Sequence, residues 1–182
     1  MLILVVGPSG AGKDTIMRSA QAKLANCSDI RFVKRFVTRR SSESEENFSV
    51  DPATFACMKE AGEFALTWVA HSLQYGVPGD IGQDIAEGKC VVVNGSRSII
   101  AEAAAAFATG VIFVTAPLEI LTSRLVARGR EDEEDIRRRL RRSVPIPPGV
   151  ASGTVVNDAS IEIGTERFVT ELMRLSSRGQ QA

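Results

Sequence analysis

Residues 2–15 read LILVVGPSGAGKDT, an apolar run followed by Gly7, Gly10 and Gly12 and then Lys13, Asp14 and Thr15. Five consecutive apolar residues ahead of a glycine cluster predict a strand buried on both faces, ending in a tight loop. The glycines let the backbone curl so that successive N–H groups converge on an anion. The helix predicted to follow aims its positive end at the same anion. Lys13 has the spacing from which an ammonium reaches the β- and γ-phosphates of a nucleotide. A plain glycine turn would explain the glycines, but not their agreement with the lysine, the strand and the helix start. Residues Gly7, Pro8, Ser9, Gly10, Ala11, Gly12, Lys13, Asp14 and Thr15 are therefore read as the nucleotide-binding loop. One position departs from the motif. Where a Ser or Thr hydroxyl normally meets Mg²⁺, the chain carries Asp14. A carboxylate is also an oxygen ligand for a hard cation. Asp14 holds the ion directly or through water, or it caps the helix while Thr15 supplies the hydroxyl; both residues are metal candidates.

Outward from the loop, short apolar runs alternate with helical patterns. CVVVN (90–94), VIFVT (111–115) and TVVN (154–157) read as further buried strands, and RFVKRFV (31–37) as a more polar one. Helices are expected at about 13–25, 80–87, 97–108, 117–128, 131–143 and 165–177, with Pro117 suited to a first turn. This alternation predicts an α/β fold: a parallel sheet with helices on both faces, in one P-loop domain. Residues 38–79 break the rhythm, being polar, then aromatic, with several glycines. They are read as a small acceptor-binding insertion, leaving 1–37, 80–122 and 144–182 as the core.

The chain has 182 residues, enough for one domain with a substantial core. Its 22 basic and 22 acidic residues cancel, which argues against a general nucleic-acid binder. No run approaches the roughly 20 apolar residues that span a bilayer, so a cytoplasmic protein without membrane partners is expected. Cys27, Cys57 and Cys90 are odd in number and lack metal-ligand spacing, and are read as reduced, mostly buried thiols.

The stretch SRLVARGREDEEDIRRRLRRS (123–143) has a glycine break at Gly129 followed by a highly charged helix whose apolar stripe is only Ile136 and Leu140. Many of its charges fit helix-surface pairs such as Glu133 with Arg137. Phosphoryl transfer, however, needs cations that close over a polyphosphate and spread its developing charge. The segment is read as a lid, with Arg128, Arg130 and Arg139, together with Lys13, as the catalytic cations.

Several ordered blocks carry a resemblance. GPSGAGKDT, FVTRR (36–40), NFSVDPATF (47–55), EFALTWVAHSLQYGVP (63–78) and RLVARGREDEEDIRRRL (124–140) together resemble the guanylate-kinase-like branch of phosphate-loop kinases. That branch reads guanine with a carboxylate, a hydroxyl and an aspartate at places that hold Thr67, Val77 and Asn94 here. GPSGAGKDT, ALTWVAHSLQYGVP and VVVNGSRS are instead similar to the ribose 1,5-bisphosphate phosphokinases of bacterial phosphonate breakdown. The resemblance implies ATP and Mg²⁺, a phosphorylated sugar as acceptor, and 5-phosphoribosyl 1-diphosphate as product.

A sugar carrying two phosphates and no base asks for cations and hydroxyl partners. Arg39, Arg40 and Arg97 are the expected cations, with His71 and Tyr75 as ribose or phosphate contacts. Arg97 opens a helix, where a cation opposes the dipole, so it suits a ligand better than stability. His71 also suits a structural role, Trp68 and Tyr75 suit packing, and Glu43, Glu45 and Glu46 suit a solvated loop. Two other functions stay open: a nucleoside monophosphate kinase of altered base preference, and a non-catalytic peptide-binding module. The latter usually loses the loop lysine and glycines, which are intact here.

Overall fold

A computed structural model of the chain describes residues 1–39, 47–126 and 146–179. Its centre is strand β1 (Leu2–Val6), every residue of which is buried. Helix α1 (Lys13–Lys23) follows the loop, and β2 (Ile30–Val33) lies at one edge of the main sheet. Three more strands complete that sheet: β7 (Cys90–Asn94), β8 (Thr109–Thr115) and β9 (Ala151–Val156). The order is β2-β7-β1-β8-β9 and every pairing is parallel. This is the α/β P-loop fold that the apolar runs predict.

Strand alternation splits the core into two layers. Ile3, Val5, Val92, Ile112 and Val114 face one side, where Ile16 and Ala20 of α1 meet Phe168, Leu172 and Leu175 of α6 (Ile161–Gly179). Leu2, Leu4, Val91, Val93 and Val111 face the other. There they pack on Ile81 of α3 (Ile81–Ala86) and on Ile100 and Ala103 of α4 (Ile100–Ala106). Because both faces are covered, these strands need no polar face.

A second sheet, ordered β4-β3-β6-β5, caps one end of the second layer. It comprises β3 (Arg35–Val37), β4 (Asn47–Ser49), β5 (Phe64–Ala70) and β6 (Leu73–Pro78). Leu66, Trp68 and Val77 from its hairpin join the second core layer. The hairpin turns on His71 and Ser72, both at positive φ (51° and 60°), as a two-residue turn of the primed type requires.

Several expectations change in detail. RFVKRFV is two strands, broken at Lys34: β2 pairs with β7, whereas β3 pairs with β4 and β6. The smaller sheet thus begins at Arg35, ahead of residue 38. Expected helix 97–108 is a 3₁₀ turn over Arg97–Ile99 followed by α4, because the Ser96 hydroxyl caps the turn by accepting from the Ser98 N–H. Helix α2 (Pro52–Glu60) was not anticipated, although DPATF holds its start: Asp51 accepts from the N–H groups of Ala53 and Thr54 at 2.9 Å and Pro52 sits in the first turn. Helix α5 (Leu118–Val126) opens the expected lid, while the rest of the lid, including the helix expected at 131–143, lies outside the described residues. The three cysteines are free, but only Cys90 is buried; Cys57 is exposed and Cys27 half-buried. The expectation of mostly buried thiols is corrected accordingly. Cys57 is exposed because the helix that carries it buries Phe55 rather than the thiol.

Candidate active site

The phosphate loop leaves the end of β1 between β7 and β8, at the point where the chain's connections diverge to opposite sides of the sheet. Two glycines are required by the space around them. A Cβ on Gly7, at φ 149°, would run into the Val114 carbonyl oxygen of β8; one on Gly12, at φ 83°, would run into the Asn157 amide. Asn157, buried just past β9, donates to the Ala11 carbonyl at 2.8 Å. Arg124 of α5 donates to the Gly10 carbonyl at 3.4 Å. The Lys13 ammonium donates to the carbonyls of Gly7 (2.9 Å) and Pro8 (3.0 Å), arching over the loop. The loop is therefore a preformed cradle held from three elements, with its cation in place.

Asp14 lies in the first turn of α1, whose N-cap is Gly12 rather than a side chain. Its carboxylate accepts from the Asn94 amide at 2.6 Å, at the end of β7. It thereby faces a cleft lined also by Arg18, Lys34, Arg35, Asn47 and Asn94. Thr15, about 100° further round the helix, is exposed and does not line that cleft. Asn94 Oδ1 is buried with no hydrogen-bond partner among the described residues. Asp14 and this orphaned oxygen form a hard-oxygen donor pair suited to Mg²⁺. Among the described residues no cluster of three His, Cys, Asp or Glu side chains exists to hold a metal. A Mg²⁺ at this place would need its remaining ligands from phosphates and water.

Arg35 is the principal residue that sequence reasoning missed. It is only 9% exposed. Its guanidinium lies over the rings of Tyr75 (5.3 Å) and Trp68 (5.9 Å), which stack on each other at 5.1 Å across the hairpin. Nε donates to Asn47 Oδ1 at 3.3 Å. Burial pulls its pKa below the ordinary arginine value, the Asp14 carboxylate pulls it back, and the charge of Arg39 pushes it down again. The sequence did hold a signal: Arg35 shares the strand parity of Val33 and Val37, both buried, so a charge was facing inward. Asn157 and Arg124 were also missed. The first reads as the tail of an apolar strand, and the second is one arginine among many.

Of the expected acceptor contacts, Arg39 is half-buried and close enough to act on Arg35. Tyr75 lies in the aromatic pair under Arg35. Arg97 follows the end of β7 and is half-buried, in the turn after Asn94. His71 is exposed at the hairpin tip and does not line the cleft. Arg40, Glu43, Glu45, Glu46, Arg128, Arg130 and Arg139 lie outside the described residues.

A family model described as "AAA domain" matches residues 3–144. A ribose 1,5-bisphosphate phosphokinase of Bradyrhizobium diazoefficiens is 41% identical over 97% of this chain and 90% of its own length. A bifunctional ribose 1,5-bisphosphokinase-thymidine phosphorylase of Cupriavidus necator is 44% identical over 98% of this chain, which spans 30% of that longer protein. Among solved structures, guanylate kinase from Anaplasma phagocytophilum superposes with a TM-score of 0.65 at 17% identity, covering 96% of this chain and 84% of that one. At that identity the likeness is one of fold.

Proposed function

The chain belongs to the ribose 1,5-bisphosphate phosphokinase family, and from that premise we propose that it transfers the γ-phosphoryl group of ATP to the 1-phosphate of ribose 1,5-bisphosphate. The product is 5-phosphoribosyl 1-diphosphate, which supplies nucleotide synthesis from phosphonate breakdown. The observation that carries this reading is the preformed loop, with the Lys13 ammonium at its mouth, opening onto a cleft of arginines rather than base-reading carboxylates. In the reaction an oxygen of the 1-phosphate bonds to the γ-phosphorus as the bridging oxygen to the β-phosphorus leaves with ADP. That attacking oxygen is already ionised at neutral pH, so no residue has to remove a proton.

The chain's own contribution is positioning and charge neutralisation. The N–H groups of the loop from Ser9 to Asp14 bind the donor's phosphates, and Lys13 follows the charge as it moves to the bridging oxygen. Asp14, oriented by Asn94, and the Asn94 oxygen are the residues that would hold Mg²⁺, which would supply neutralisation of phosphate charge. Arg124 stands against the loop, and Arg128, Arg130 and Arg139, taken from the charge pattern of the sequence, would spread the charge of the transferred phosphoryl group. Arg39, Arg40 and Arg97 serve the acceptor. Among the described residues no helix is long and apolar enough to cross a membrane, and because the reaction draws on ATP we assign it to the cytoplasm.

An ADP-release assay with GMP, AMP, UMP and ribose 1,5-bisphosphate tests the assignment. Turnover is expected with the sugar bisphosphate alone. Turnover with a nucleotide but not the sugar would overturn it, and silence with every acceptor would point to an interaction module.

A further inference from the structure

Arg35 presents a problem that the fold does not solve by itself. A buried charge is costly unless an opposite charge and hydrogen bonds compensate it. Among the described residues Arg35 has no ion pair, and its one hydrogen bond is from Nε to Asn47. The two terminal nitrogens of its fork are left without a described partner, at 9% exposure, in the wall of the cleft that Asp14 and Asn94 also line. Its remaining support is the more distant charge of Asp14, which forms no ion pair with it, and the faces of Trp68 and Tyr75, which stabilise a cation without neutralising it.

The ligand that fits is defined by what the site can donate. Reading the Watson–Crick edge of guanine needs an acceptor for its N1–H and amino group, whereas a guanidinium fork offers donors only. Thr67 and Val77 flank the aromatic pair on β5 and β6, and Val77 is fully buried among apolar side chains. Neither supplies a carboxylate. A donor-only fork, planar and preoriented by two stacked rings, is the partner of an oxyanion with paired oxygens, most of all a phosphate.

Two phosphates of the acceptor are available. The reacting 1-phosphate must meet the donor at the Lys13 end of the cleft. Arg35 belongs to the other sheet, clamped on aromatic rings, and is suited to fix a group rather than follow one.

We propose that Arg35 binds the acceptor's non-reacting 5-phosphate and is the residue that selects a sugar bisphosphate where a base-reading kinase would take a nucleobase. The proposal rests on the function given above. It assigns Trp68 and Tyr75 a positioning role: they hold the fork in the one orientation that accepts two phosphate oxygens.

The test uses the chain's single tryptophan, Trp68, which lies against Arg35 and reports binding without turnover. Ribose 5-phosphate and ribose 1-phosphate are titrated separately against the native protein and Arg35→Met, following Trp68 fluorescence. Ribose 5-phosphate is expected to bind the native protein saturably and Arg35→Met at least about 30-fold more weakly. The dependence of ribose 1-phosphate binding on Arg35 should be much smaller. In parallel, the ratio of kcat/KM for ribose 1,5-bisphosphate over ribose 1-phosphate should collapse by a similar factor in the variant. If Arg35→Met fails to fold, Arg35→Lys is judged on the same titrations and the same ratio. Equal affinity of native and variant protein for ribose 5-phosphate would overturn the proposal. So would no binding of ribose 5-phosphate to the native protein, or an Arg35 effect confined to ribose 1-phosphate. A native protein that turns over a nucleotide instead of the sugar bisphosphate would sink the parent assignment, while the fluorescence titration would still report on Arg35.

Discussion

At the scale of single residues, the departure at position 14 and the cation beside it carry distinct tasks. Lys13 already sits at the loop mouth, so Lys13→Ala should lower kcat by at least about 100-fold while changing the KM for ATP far less. A raised KM at unchanged kcat would mark Lys13 as a uniform binder. Asp14 is aimed by Asn94 into the cleft rather than at the helix cap. Asp14→Ala should therefore raise the Mg²⁺ midpoint of activity by about tenfold at saturating ATP, through loss of a charged ligand. An unchanged midpoint would release Asp14 from that role. The thiols give a chemical check on packing. Burial pushes the Cys90 pKa up to about 11, so alkylation by iodoacetamide at pH 8 should label exposed Cys57 and spare Cys90. Peptide mapping of the labelled protein decides it. Asp14 stood out in the sequence because it violates a local pattern. Arg35 was hidden because its meaning depends on Trp68 and Tyr75, which only the hairpin brings beneath it.

Among the elements, those with a repeating apolar pattern were legible and those defined by pairing were not. β1, β7 and β8 are buried on both faces and announce themselves as apolar runs. The split of RFVKRFV at Lys34 is invisible locally, because which of two sheets a strand joins depends on its partner's register. The arginines expected to act as lid cations, Arg128, Arg130 and Arg139, lie outside the described residues, and the arginine described at the loop is Arg124. Two element-level devices are measurable. Ser72 holds a positive φ of 60° without being glycine, a conformation that costs L-residues free energy. Ser72→Gly should stabilise the hairpin by about 0.5–1 kcal/mol, read as a rise in the thermal midpoint. Asn157→Ala should cost about 1–3 kcal/mol, since it strands the buried Ala11 carbonyl, and should weaken ATP binding at the same time. A stability loss with normal ATP affinity would show that the amide supports β9 alone.

Across the whole molecule, Asp84 ties the edge of the main sheet to the helix beneath it. Its carboxylate accepts from Lys89 at 2.7 Å and from Arg31 of β2, while Arg31 also reaches Asp80 at 2.8 Å. The hydrogen bond from Lys89, joined by that from Arg31, holds the Asp84 pKa below its ordinary value despite burial. A folded pKa below the unfolded one contributes stability that is complete above the unfolded value, about 4, and fades as pH falls through the folded one. Thermal midpoints measured from pH 6 down to 3 should fall more steeply for the native protein than for Asp84→Asn. Parallel curves would remove Asp84 from the acid limb. The domain class and the glycine loop with Lys13 were readable at this scale, because strand–loop–helix punctuation is local. The cleft beside it was not, because it is assembled from two sheets. The clamp on the phosphate loop also orders events in time. The amide that secures the Ala11 carbonyl is synthesised 146 residues after it. A growing chain thus carries its glycine loop without that brace until the residue just past β9 is made, so the loop reaches its final shape only as the sheet is completed.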